Sequence, residues 1–147
     1  MDTSTKSISC QHGTAECDAN SWEQCAIENY NLDAYFPFIQ CLEDTLPMGY
    51  RNDIFPEIAF AICAETSSEI IFDDLKSCHD DTGLCYLLQE KYADLTPKEH
   101  DHVPWVVLNG NKVFHDENQN LFKEVCKEYT IINEGKSHPA CTASSTE

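Results

Sequence analysis

Residues 10–25 read CQHGTAECDANSWEQC, a segment in which a short loop gives way to a helix and three cysteines fall within sixteen positions. From Cys17 to Tyr30, Trp22, Cys25, Ala26 and Asn29 or Tyr30 recur at three- and four-residue spacings, which predicts an amphipathic helix. Ahead of it, Gly13 suits a positive φ, and Gln11 and His12 suit holding the loop by hydrogen bonds, so these three read as architecture ahead of chemistry. Cys10, His12, Cys17 and Cys25 include the right donor types for zinc but lack paired C-x-x-C spacing, and structural disulfides are the favoured reading. No metal site is expected.

Working outward, the nine cysteines Cys10, Cys17, Cys25, Cys41, Cys63, Cys78, Cys85, Cys126 and Cys141 are many for a reducing cytosol and suit an oxidising compartment. Met1 to Ser9 nevertheless carries one lysine and no apolar run, so the chain presents no signal peptide. Either the true start lies upstream of Met1, or the cysteines stay reduced in a cytosolic relic. The sequence also has no N-x-S/T glycosylation acceptor.

With 147 residues, 41% of them hydrophobic, the chain suits one domain with a modest core. Its longest apolar run, Ile58 to Ala64, falls far short of the roughly 20 residues that span a bilayer, so no membrane insertion is expected. Twenty-six acidic against nine basic residues give a net charge of −17, which repels phosphate backbones and anionic leaflets and excludes nucleic acid as a partner. Carboxylate protonation and histidine charging reduce that charge in acid, so an acidic compartment is compatible.

A second helix is predicted from about Asp33 to Glu43, with Phe36, Ile39, Cys41 and Leu42 on or beside its inner face and Pro37 near its first turn. Pro47, Gly49 and Asn52 mark a loop, and Pro56 opens a short helix reaching Cys63. Thr82 to Ala93 is a further helix, with Leu84, Leu87, Leu88 and Tyr92 as its core face. Val103 to Leu108 reads as a buried strand, Trp105 as a core residue, and Asn109-Gly110-Asn111 as the turn to a return strand at Lys112 to Phe114. A last helix covers about Asn118 to Glu128, and residues 135–147 read as a loose tail, tied at most through Cys141. Helices, a hairpin and a closing helix indicate an α+β or α/β domain with a large helical portion.

Cys10, Gln11, His12, Gly13, Glu16, Cys17, Asn20 and Cys25 stand at the eight fixed positions of CQHG, two residues, EC, two residues, Asn, four residues, Cys. In this the chain resembles the gamma-interferon-inducible lysosomal thiol reductase (GILT) family, and the likeness extends over roughly Cys10 to Cys141. HDHVPWVVLNG, His100 to Gly110, is similar to the family's thioredoxin-type cis-proline loop and the strand after it. The resemblance implies an α/β chain: an incomplete thioredoxin-like fold with a large helical insertion, a C-terminal β-hairpin and a helix. Its parts are a short segment 1–9, a GILT-like domain 10–134 and the tail, with the insertion over about 10–98 and the thioredoxin-like part over about 99–130.

The family reduces protein disulfides in endosomes and lysosomes at acid pH, through a CxxC that precedes the CQHG signature. Nothing here matches that pair: no two of the cysteines are separated by two residues, and nine residues precede Cys10. No catalytic residue is therefore assigned. The resemblance places Val103 and Pro104 in a substrate-binding loop, with a cis bond between them; an ordinary trans proline at a strand entrance is the alternative. Cys10, Cys17, Cys25, Cys41, Cys63, Cys78, Cys126 and Cys141 are the disulfide candidates, and Cys85, without a family counterpart, is the odd thiol. Cys85 suits a small core hydrophobe, or a replacement nucleophile if it is exposed at a helix N-terminus. His100 and His102 fall in the endosomal titration range but read as surface residues.

No cofactor is implied. The expected partners are disulfide-containing proteins or peptides if the chain is active, and the expected location is endosomal, lysosomal or secreted. Two other readings stand beside the reductase: an inactive peptide- or protein-binding member of the family, and a saposin-like, cysteine-stapled lipid binder, which explains neither HDHVPWVVLNG nor the hairpin.

Overall fold

Asn31 begins the arrangement of the first two helices, because its side chain accepts the Ala34 backbone N–H at 3.2 Å and separates one helix from the next. The structure, a computed structural model, describes residues 8–45, 55–101, 105–112 and 120–143. It divides into two units, Met1–Thr96 and Pro97–Glu147. The sequence reading expected one domain, with its C-terminal part starting near 99.

The first unit is helical: α1 (Thr14–Asn29), α2 (Leu32–Thr45), α3 (Glu57–Ala64), α4 (Phe72–Asp80) and α5 (Thr82–Leu95). α1 packs on α2, α4 and α5, and α3 lies on α2, so α1 is the hub. Trp22, Cys25 and Ala26 of the predicted stripe are buried, with Tyr30 packed beside the core and Asn29 exposed, and Ala15 adds a buried residue ahead of the expected start at Cys17. Trp22 stacks on Phe60 and Phe72 with ring centroids 4.7 and 5.6 Å away. Phe38, Phe60, Leu42 and Leu75 are the largest fully buried apolar side chains, each worth about 1.5–3 kcal/mol by area removed from water. Polar contacts tie α5 to α1 at its edge: Gln24 donates to Gln89 at 2.8 Å, and Lys91 pairs with Glu28.

Two expected core faces are rotated. On α2 the buried residues are Ala34, Phe38 and Leu42, while Phe36 is exposed. Phe36 and Phe38 lie about 200° apart on a helix, so one helix face cannot bury both. Pro37 lies in the second turn, where its ring removes one intrahelical bond, and α2 still begins at Leu32 and runs on to Thr45. On α5, Leu88 and Cys85 are buried with Leu84 and Tyr92 packed beside them, and Leu87 points to solvent. Leu87 lies about 120° from the centre of that arc.

α4 was not foreseen from sequence. Phe72, Leu75 and Cys78 carry its inward face at three-residue spacing, but nine residues with two aspartates in the first turn give a weak periodic signal. Tertiary contacts fix it: the Tyr30 hydroxyl bonds both the N–H and the carbonyl of Ile71 just ahead of it.

The second unit holds β1 (Val107–Leu108), β2 (Asn111–Lys112), α6 (Leu121–Ile132) and α7 (Pro139–Ala143). The hairpin is antiparallel, with Val107 opposite Lys112 and Leu108 opposite Asn111. Asn109 and Gly110 alone form the turn, with φ of 50° and 79°, as a type I′ connection requires. The strand is shorter than expected, because Trp105 and Val106 lie outside the pairing. Trp105 is half-buried, with Lys112 Nζ 3.7 Å from its ring centre, so it is not a member of the buried core. Asn120 caps α6 by accepting the Lys123 N–H at 3.1 Å, which places the helix three to four residues later than predicted. The tail is not loose throughout: α7 is helical and Cys141 is bonded to Cys126. The described residues are mostly helical with one small sheet, consistent with the α/β class.

Candidate functional site

The signature residues build a covalently closed helix entrance. Gly13 precedes α1 with φ 102° and ψ −164°, a conformation open essentially to glycine alone. Its N–H meets the Cys10 carbonyl at 3.3 Å, and its carbonyl receives the Cys17 N–H at 3.4 Å. Glu16, in the first turn, accepts the His12 backbone N–H at 2.7 Å and faces His12 Nδ1 at 3.2 Å. Cys10 and Cys17 then close the loop as a disulfide. Gln11 lies exposed in the turn, and Asn20 sits half-buried one turn further along α1. Cys10, His12, Gly13, Glu16 and Cys17 therefore shape the start of α1.

Cys25 is bonded to Cys78 and Cys41 to Cys63, joining α1 to α4 and α2 to α3. With Cys126–Cys141, the eight cysteines expected to pair are the eight that do so, and Cys85 is free and buried. The zinc alternative has no thiolates to use, since Cys10, Cys17 and Cys25 are all in disulfides.

Cys85 stands in the first turn of α5, whose N-terminus Asp81 caps by accepting the Leu84 N–H at 2.9 Å. A helix N-terminus favours a thiolate, but three features oppose it here. Burial pushes the thiol above its ordinary value, and the Asp81 and Asp80 charges add to this against a weaker hydrogen bond from Ser21. The thiol donates to the His79 carbonyl at 3.2 Å and to the Cys78 carbonyl at 3.6 Å. Cys85 thus behaves as a protonated, small core group, which leaves the replacement-nucleophile alternative without a thiolate.

Val103 and Pro104, the expected substrate loop, lie outside the described residues, as does His102. His100 approaches Trp105 edge-on at 5.7 Å. In the first unit an open groove of 430 Å³ is lined by Ala61, Ala64, Glu65, Ser67, Ser68, Ile70 and Phe72, with no cysteine among them. It adds no redox chemistry.

The group that sequence reading missed is His79, packed between helices beside Cys78. Its Nε2 meets Asp18 Oδ1 at 2.9 Å and its Nδ1 meets Asp80 Oδ1 at 3.2 Å, while its ring stacks on Trp22 at 4.2 Å. Only its place in the run Cys78-His79-Asp80-Asp81 offered a signal, and Asp18 is 61 residues away in sequence.

The family model described as gamma interferon inducible lysosomal thiol reductase (GILT) matches residues 1–67. A GILT-like protein of Caenorhabditis elegans is 29% identical over 82% of this chain and 38% of its own length. A gamma-interferon-responsive lysosomal thiol protein of Arabidopsis thaliana is 29% identical over 83% of the chain and 49% of its own. The gamma-interferon-inducible lysosomal thiol reductase of Mus musculus is 27% identical over 85% and 48%. The chain thus spans about half or less of the length of these relatives. No solved structure matches it significantly. Among the described residues no helix is long and apolar enough to cross a membrane. The signature-built helix entrance, the family-model match over residues 1–67 and relatives aligned over four fifths of the sequence together show that this chain is similar to the GILT family.

Proposed function

We propose that the chain serves a GILT-type thiol–disulfide oxidoreductase, in which these 147 residues supply scaffold and substrate-holding surface but not the attacking dithiol. One observation carries this reading: eight of the nine cysteines are in disulfides, and the ninth, Cys85, is buried and held protonated. Reduction of a substrate disulfide needs a thiolate to attack one sulfur and a second thiol to resolve the mixed disulfide. A single buried thiol provides neither. In this reading residues 99–130 are the thioredoxin-like part, Val103 and Pro104 hold an extended disulfide-bearing peptide, and the setting is endosomal, lysosomal or secreted.

The second reading is an inactive peptide- or protein-binding member, favoured by the absence of any C-x-x-C spacing in the sequence. Insulin reduction at pH 5 with a small dithiol as electron source tests the proposal. The folded chain is expected to show no multiple turnover, and turnover abolished by one cysteine-to-serine change would overturn it. Transcript sequence upstream of Met1 separates the two readings: an encoded CxxC supports the enzyme, and a start without one supports the binder.

A further inference from the structure

We propose that His79 is a clamp between α4 and α1, which tightens the aromatic layer of the helical unit when the ring is protonated and relaxes it when the ring loses its proton. The argument begins with hydrogen-bond arithmetic. Neutral imidazole has one N–H and one lone pair, whereas an ionised carboxylate only accepts. His79 faces a carboxylate at both nitrogens, Asp18 at 2.9 Å and Asp80 at 3.2 Å. A neutral ring would turn its lone pair on one of those oxygens. The imidazolium donates to both.

The ring also lies flat on Trp22, with centroids 4.2 Å apart and planes inclined by 15°. Trp22 is 2% exposed and carries Phe60 and Phe72 in its own stacks, so the cation sits on the central aromatic residue of the unit. Protonation of one half-buried side chain therefore reaches three helices through one indole.

The surrounding charges come from every packed element. From α1 there is Asp18, and from α4 itself Asp80, which also pairs with Lys76 at 2.9 Å. Lys76 in turn reaches Glu57 of α3 at 3.0 Å, which draws part of its charge away from Asp80. From α5 there are Asp81 at its cap and the Cys85 thiol on the His79 carbonyl. Burial of the ring opposes its charge, but the bonds to Asp18 and then Asp80 outweigh it, and His79 titrates above its ordinary value of 6.5. A raised folded value means that the clamp contributes fully below about pH 6.5 and is lost as pH rises through the folded value. The Cys25–Cys78 disulfide joins the same two helices, so release loosens their packing without separating them.

The test uses the full chain with W105F, which leaves Trp22 as the single indole. A stacked imidazolium quenches indole emission, so Trp22 fluorescence is expected to rise at least 1.5-fold between pH 5 and 9, with a midpoint above 6.5. H79Q should remove that step, and D18N should lower its midpoint by removing the nearer carboxylate. Glu23 follows Trp22 and is pushed up to about 7 by burial and by the Glu43 charge. The step must therefore survive in E23Q. NMR titration of the His79 ring in the unmutated chain needs no variant, and a midpoint at or below 6.5 there would overturn the proposal. So would an emission step that persists in folded H79Q or disappears in E23Q.

Discussion

Cys25 of α1 is bonded to Cys78 of α4 across a sequence separation of 53, the longest covalent link in the chain. The other three disulfides have separations of 7, 22 and 15. Loop entropy makes the long link the one that most constrains the unfolded chain, by about 4 kcal/mol against about 2.5 for the shortest. It also crosses the core at its hub, since Cys25 of α1 is fully buried within the hydrophobic core.

Replacing both Cys25 and Cys78 with alanine is expected to cost about 3–4 kcal/mol, read as a lower midpoint in guanidinium unfolding. The Cys10 and Cys17 double replacement should cost less. A larger loss for the short loop would show that the signature disulfide, not the inter-helix bond, holds the unit.

Gly13→Ala is expected to destabilise the helical unit by about 1–3 kcal/mol, because a Cβ is strained at φ 102° and ψ −164°. Thermal melts beside Thr14→Ala, an exposed neighbour, measure it. Equal melting points for the two variants would show that the turn adapts.

Glu23 gives a pH dependence with a defined sign. Its folded value of about 7 lies above its ordinary 4.5, so its contribution is complete below pH 4.5 and is lost as pH rises through 7. Glu23→Gln should therefore stabilise the chain at pH 8 by about 1–2 kcal/mol, allowing for partial solvent screening, and leave it unchanged at pH 4.5. Melting temperatures at the two pH values check both halves of this expectation.

Cys85 is expected to resist alkylation in the folded, non-reduced chain and to label stoichiometrically once denatured. Burial and the elevated thiol value both suppress thiolate formation. Peptide mapping after N-ethylmaleimide treatment decides it, and fast native labelling at Cys85 would restore the replacement-nucleophile reading.

What the sequence determined by itself was local or spacing-encoded. The eight signature positions carried the family likeness, the stripe from Trp22 to Tyr30 placed α1, and Asn109-Gly110 placed the hairpin, because a two-residue turn at positive φ is written in its own two residues. Cys85 was identifiable as the odd thiol without knowledge of any bond. Partnering needed the tertiary structure. Eight cysteines allow about 105 pairings, and spacing along the chain does not choose among them. Phe36 and Phe38 are equally apolar, and only the packing of α2 decided that Phe38 goes inside. α4 needed Tyr30 of another segment to hold its start. Asp18 and His79, 61 residues apart, become a charged pair only when α1 and α4 bring them together, because electrostatic coupling depends on distance through space and not along the chain.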